Sequence, residues 1–545
     1  MSILSRIYGR ICKAPPAETY DVVIEHRLEV PMPDGSTLLA DHYYPRRSVK
    51  PPTILIRSPY GRGRLNALTA RLLAERGFQV LLQSCRGTFG SGGQFAPFIN
   101  ERTDGLATIE WMKKQSWFSG DFATAGASYL GYVQWAIAGE AGQGLKAMAA
   151  QATSSDFHGL IYPGGSFALS DCITWNYIIN MQEKSLLGDL TSMFAGRKLK
   201  KAFSYLPLSL ADQLVIGQRE QFWQDLLEHS QPGDNWWETI DHSRSVAGVN
   251  VPVNLIGGWY DIFLPLMIRD YTALKKAGNA PYLMIGPWSH VSLGLQIGAS
   301  TVESIVWLRA HLLGDRSRLR EKPVRIYVMG AGEWRDFPEW PPAGYQPQAW
   351  YLQAKGGLTP GLPGESEPDR YRYDPADPTP SVGGAAIQRG AGPQDNRILE
   401  ARSDVLVYTG AVLDRDLEVI GPVQATLYVQ SSLGNTDFFV RLCDVYPSGK
   451  SINICDGIRR LRPGGSPEKG GTLEVKIEMW PTAYRFIRGH RVRLQVSSGA
   501  HPRFARNPGS GGPLSTAISL QPADQTVYHD QAHPSHVILP GNRRL

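Results

Sequence analysis

Five cysteines in 545 residues are too few and too scattered for a disulfide framework or a zinc site. Cys12, Cys85, Cys172, Cys443 and Cys455 are odd in number, and no two form a CxxC pair. Reduced thiols, and with them a cytoplasmic location, are the expectation. No run of about 18 apolar residues occurs, which excludes a membrane-spanning helix. The opening MSILSRIYGRICKAPP is interrupted by Arg6, Arg10 and Lys13, so it lacks the apolar stretch of a secretory signal. A dense basic block is also missing. The net charge of +6 is spread along the chain, and the runs at 196–201 and 316–321 read as solvated helix faces. Neither nucleic acid nor membrane is expected as a partner, and there is no internal repeat or low-complexity tract.

The composition is that of an ordinary globular protein, 42% hydrophobic and 19% charged. At ~150 residues per domain the length suggests about three domains. Residues 20–50 alternate like strands around the turn signal PDG. PTILIRSPYG and FQVLLQSCRG are short apolar runs closed by glycine loops, as in buried parallel strands. LNALTARLLAERG and DGLATIEWMKKQ have helical spacing. The alternation predicts a βαβ sheet, an α/β fold. From about 155 to 246 aromatic, helical sequence takes over, and a helical insertion is expected. VPVNLIGGWYD and APYLMIGPWSH then resume the buried-strand pattern. Beyond a Pro- and Gly-rich stretch, period-two runs such as VQATLYVQSS and HRVRLQVSS predict a β-sandwich or jelly roll. The expected division is an α/β core from 1–150 and 247–345, a helical cap at 151–246 and a jelly roll at 346–545.

The sharpest local motif is Gly126-Ala127-Ser128-Tyr129-Leu130-Gly131, a G-x-S-x-x-G one residue longer than the usual nucleophile elbow. Such an elbow needs small residues where the backbone is crowded, and it lifts a serine hydroxyl above a helix N-terminus. The pattern alone does not separate it from a Gly/Ser turn. Asp261 and His290 change that, because each follows a buried strand and the order Ser, Asp, His suits a hydrolase. A serine hydroxyl is a poor nucleophile until a neutral histidine takes its proton and an acid orients that histidine. Tyr60, after the run LIRSP, is a candidate oxyanion donor through its phenol O–H.

The blocks SPYGR, CRGTFGSGGQF, GASYLGYVQW, IGGWYDIF, IGPWSH and HPRFARNPGSGG run nearly end to end. With them the chain resembles the bacterial cocaine esterase family, which includes α-amino-acid ester hydrolases and X-prolyl dipeptidyl peptidases. The resemblance implies an α/β-hydrolase core, an inserted helical cap and a C-terminal jelly roll. It implies Ser128, Asp261 and His290 as the triad, and the Tyr60 hydroxyl and Tyr129 backbone N–H as the oxyanion hole. By position Trp175, Phe263 and Phe438 match aromatic pocket residues, with the acyl pocket where the three parts meet. The resemblance also suggests a homodimer.

Two departures stand out. Ser84 occupies the place of the family's aspartate in D-x-R-G, here Gln83-Ser84-Cys85-Arg86-Gly87. Also, Asp261 is followed by Ile262, Phe263 and Leu264, where relatives that bind an α-ammonium carry acids. A buried ammonium without a carboxylate is costly. The expected function is therefore a serine esterase for small-molecule esters with uncharged apolar or aromatic acyl groups. It works through an acyl-enzyme and needs no metal or organic cofactor. The alternative is an acyltransferase, amidase or aminopeptidase on the same triad. A non-catalytic, carbohydrate-holding scaffold is disfavoured by the intact Ser, Asp and His.

Overall fold

The computed structural model describes residues 2–47, 50–183, 188–290, 292, 297–388, 390–462 and 471–542. A ten-stranded sheet runs in the order β1-β2-β4-β3-β5-β6-β7-β8-β9-β10. Its strands are β1 (Val22–Pro31), β2 (Thr37–Pro45), β3 (Thr53–Ser58), β4 (Gln79–Ser84) and β5 (Phe122–Ala127), then β6 (Leu145–Gln151), β7 (Val253–Tyr260), β8 (Tyr282–Ser289), β9 (Val324–Val328) and β10 (Glu333–Phe337). From β4 to β9 neighbours are parallel, while β1, β2 and β10 pair antiparallel. The sheet is thus mixed rather than wholly parallel, because short turns at both ends favour hairpins over crossovers.

Every residue of β3, β4 and β7 is buried, which explains their unbroken apolar sequences. The strand β6 was not legible in the sequence. It reads LKAMAAQ, with no β-branched or aromatic residue to mark it. Among the described residues the helices outside the C-terminal part are α1 (Ser2–Ile11), α2 (Arg64–Ala74), α3 (Glu101–Lys113), α4 (Tyr129–Ala138), α5 (His158–Ile161), α6 (Leu169–Met181), α7 (Gly188–Phe203), α8 (Ala211–Ile216), α9 (Gln221–Glu228), α10 (Leu264–Lys276) and α11 (Ile297–Leu312). Those from α5 to α9 lie between β6 and β7, and no strand interrupts them among the described residues. They share an apolar cluster with α4, including Tyr129, Phe98, Ile173 and Trp223. From Gln346 to Asn542 a second sheet of 13 strands forms the C-terminal β domain.

Candidate active site

Ser128, Asp261 and His290 leave the C-terminal ends of β5, β7 and β8. Ser128 stands at φ 59°, ψ −121°, between β5 and α4. A non-glycine residue there carries strain of order 1–3 kcal/mol, held by the surrounding packing. Its N–H donates to the Gln151 carbonyl at 2.9 Å, fixing the turn to β6. The flanking glycines have separate reasons. A Cβ on Gly126, at φ +151°, would lie 2.4 Å from the Leu130 Cβ. One on Gly131 would lie 2.4 Å from the Thr153 methyl. The second small residue therefore falls where α4 crosses Thr153, which accounts for the extra residue in the motif.

A register shift brings the other two together. Gly258 pairs with Gly286, but Tyr260 pairs with Ser289, so Asp261 and His290 leave neighbouring strands side by side. Gly258 permits the bulge, since a Cβ there would lie 2.3 Å from the Trp288 carbonyl oxygen. The Phe263 N–H donates to Asp261 Oδ1 at 2.9 Å, which leaves Oδ2 facing His290 Nδ1 at 2.9 Å. His290 Nε2 is 3.1 Å from Ser128 Oγ. With Nδ1 donating to the carboxylate, Nε2 carries the lone pair that accepts from the serine. Burial pushes the imidazole pKa down, but the Asp261 charge and hydrogen bond outweigh it. The net position is above the ordinary histidine value, with Asp171 adding a smaller push upward.

Tyr60 lies two residues beyond β3. Its N–H donates to Ser58 Oγ at 3.0 Å, and the Asn66 amide donates to the Gly61 carbonyl at 2.9 Å. The α6 helix clamps this turn from above, with the Gln182 amide donating to the Pro59 carbonyl at 2.8 Å. The Trp175 indole N–H donates to the Tyr60 hydroxyl oxygen at 3.0 Å. Burial pushes the Tyr60 pKa up to about 12, while Trp175 and Ser128 oppose the shift. The phenol stays protonated and remains a donor near neutral pH. The Tyr129 side chain is committed elsewhere: its hydroxyl donates to Glu101 at 2.8 Å and accepts from the Phe98 N–H at 2.8 Å. Its backbone N–H opens α4, a position without an intrahelical acceptor.

Of the three aromatic pocket candidates, two reach this site. Trp175 contacts Tyr60, and its ring stacks on Tyr129 at 6.1 Å. The Phe263 ring lies 5.6 Å from the His290 ring. Phe438 does not reach it. It is fully buried in the main core with Val440, Leu442 and Val496. Its neighbour Phe439 points to the other face, with Ile458, Ala500 and Phe504. Strand alternation explains the difference, because a one-residue slip in the match reverses the face.

The structure also brings in Asp171, which the motif reading missed. It lies four residues before Trp175 on α6, hence on the same helix face. It accepts from the Ile387 N–H at 3.0 Å and pairs with no cation at contact distance among the described residues. Burial raises its pKa to about 6, opposed by that N–H and by the charges of Arg503 and His290. Asp171 and Ile262 line a cleft of about 2120 Å³ between α10, the helical segment and the β domain. Ser128 and His290 are not among its lining residues. At the position of the family aspartate, Ser84 is held by Arg62, which also pairs with Asp41. Arg62 donates to Asp41 Oδ1 at 3.1 Å and to the Ser84 hydroxyl at 2.5 Å, so one guanidinium joins β2 to the end of β4.

Residues 34–292 match the X-Pro dipeptidyl-peptidase (S15 family), and residues 318–538 match the X-Pro dipeptidyl-peptidase C-terminal non-catalytic domain. Cocaine esterase of Rhodococcus sp. (strain MB1 Bresler) is 32% identical over 94% of this chain and 97% of its own. The chain belongs to the cocaine esterase family of serine hydrolases. Among solved structures, an α-amino acid ester hydrolase superimposes with a TM-score of 0.81 at 22% identity, covering 96% of this chain and 97% of that one. An aminopeptidase from a marine sediment Thaumarchaeota archaeon gives 0.79 at 23% identity, covering 97% of each. These two likenesses bear on the fold: an S15 α/β-hydrolase with a C-terminal β domain.

Proposed function

We propose that this serine hydrolase cleaves carboxylic esters through an acyl-enzyme on Ser128. The observation that carries the reading is the pair of hydrogen bonds, 3.1 and 2.9 Å, linking Ser128 to His290 and His290 to Asp261. Ser128 Oγ attacks the ester carbonyl while His290 Nε2 takes its proton. Asp261 holds the productive tautomer and stabilises the imidazolium. The Tyr60 O–H and the Tyr129 N–H donate to the oxyanion as it forms. His290 then protonates the leaving alcohol, and afterwards removes a proton from the water that releases the acid. Trp175 and Phe263 give the acyl side an aromatic wall, which suits an uncharged apolar or aromatic acyl group. The naming of cocaine esterase among the relatives supports the ester reading. The five cysteines are unpaired, which supports a reducing, cytoplasmic setting.

Asp171 favours a second reading. A half-buried carboxylate one helical turn from Trp175 is a partner for an α-ammonium, and the same acyl-enzyme would then come from an amino-acid ester or an N-terminal amide. One panel tests both: p-nitrophenyl and aryl esters of graded acyl size beside an aminoacyl ester, assayed with the wild type and Ser128→Ala. The first reading predicts faster turnover of neutral esters and a loss of several orders of magnitude in Ser128→Ala. Preference for the aminoacyl ester, abolished by Asp171→Asn, would establish the second. Full activity of Ser128→Ala would end both.

A further inference from the structure

The helix α1 is amphipathic in the opposite sense to an ordinary surface helix. Its small and polar residues face the protein. Ser5 is fully buried and donates to Glu75 at 2.6 Å, and Gly9 is buried against the Arg76 guanidinium. Its large apolar residues face water: Ile3, Leu4, Ile7 and Ile11 are 70%, 60%, 51% and 74% exposed. At 3.6 residues per turn these four form one stripe, opposite Ser5, Gly9 and Cys12. Folding the chain therefore leaves this apolar stripe uncovered.

Charge indicates what covers it. Arg6 and Arg10 are exposed along one edge of the stripe, and Lys13 follows just past the helix. No acid occurs before Glu18, and that carboxylate is held by Arg309 at 2.6 Å. Arg6 also lies over the Tyr20 ring at 4.0 Å, and that tyrosine is 40% exposed. An apolar stripe with cations along its edge and no anion is the pattern of a helix lying in the headgroup layer of an anionic bilayer. A second copy of the chain fits less well. Two ten-residue helices, each about 15 Å long, bury too little area for a stable dimer, which needs roughly 1,200 Å². An antiparallel pairing would also bring the Arg6 and Arg10 edges of the two copies onto the same side.

We propose that α1 is a peripheral docking element for anionic lipid surfaces. Its anchoring to the end of α2 lets it hold the enzyme on a membrane without unfolding any part of the core. No crossing of the bilayer is involved: among the described residues no helix is long and apolar enough to span one.

The test is co-sedimentation of the full-length protein with vesicles of phosphatidylglycerol and phosphatidylcholine in equal parts, against phosphatidylcholine alone. The proposal predicts more than about tenfold preference for the anionic vesicles at low salt, declining as salt screens the cations. Ile3→Ser with Ile7→Glu should abolish sedimentation, and Arg6→Gln with Arg10→Gln should remove the anionic preference. All variants should hydrolyse a soluble p-nitrophenyl ester at the wild-type rate, which shows that they fold. Equal recovery with both vesicle types would overturn the proposal, as would binding that survives Ile7→Glu. A wild type that elutes at twice the mass of the Ile7→Glu variant and ignores vesicles would assign the stripe to a second copy instead.

Discussion

Replacing Trp175 by phenylalanine removes one donor and keeps an aromatic wall. The indole N–H donates to the Tyr60 hydroxyl oxygen at 3.0 Å. That bond occupies an acceptor site of the phenol and turns its own proton toward Ser128. A neutral hydrogen bond of this kind contributes about 1 kcal/mol, so kcat should fall roughly fivefold through a less well aimed oxyanion donor. Tyr60→Phe removes the donor itself and should lower kcat by about 10²–10³. If Trp175 acts through Tyr60, the two losses do not add, and Trp175→Phe in the Tyr60→Phe background should change kcat by less than about twofold. The assay is a double-mutant cycle on p-nitrophenyl acetate and p-nitrophenyl benzoate, separating kcat from KM. An equal fivefold penalty in both backgrounds, or an effect confined to the benzoate KM, would refute the reasoning and leave Trp175 as a wall alone.

The acid limb of kcat/KM should have its midpoint above 6.5, because His290 must be neutral to accept the serine proton and its pKa is raised. Asp171→Asn should move that midpoint down, since the Asp171 charge favours the imidazolium; an unmoved pH profile would count against their proximity. Gly126→Ala should give protein without measurable esterase activity or fail to fold, as its Cβ would meet Leu130 at 2.4 Å at a φ of +151°; near-normal turnover would contradict the elbow geometry. Asp41→Ala should destabilise the fold by on the order of 3 kcal/mol, because Arg62 then loses its carboxylate in a setting where the two side chains are 11% and 8% exposed. Thermal unfolding reads that loss, and Ser84→Asp in the same background should recover part of it.

Buried strands that end at the candidate site were legible because each combines an apolar run with a glycine and a candidate residue. Ser128, Asp261, His290 and Tyr60 were found this way, and the structure brings all four together. The helical character of α5 to α9 was readable from its aromatics and spacing. Other features depended on three-dimensional neighbours. The strand β6 lacks strand-forming residues and exists because β5 and β7 flank it. Phe438 and Phe439 differ only in which face of the strand they occupy, and an adjacent pair in a sequence match cannot separate them. Asp171 did carry a signal, its spacing of four from Trp175, but nothing local announces that its half-buried carboxylate lies near His290. The link between Asp41 and Ser84 spans 43 positions and passes through Arg62, so no local motif contains it.

The most direct measurement is peptide mapping of the enzyme quenched during turnover of a slowly deacylating p-nitrophenyl ester, with a fluorophosphonate-treated sample beside it. The acyl group and the phosphonate should both sit on Ser128, and labelling should stop when His290 is replaced by alanine. Turnover with no adduct, or an adduct on any other residue, would contradict the acyl-enzyme at Ser128.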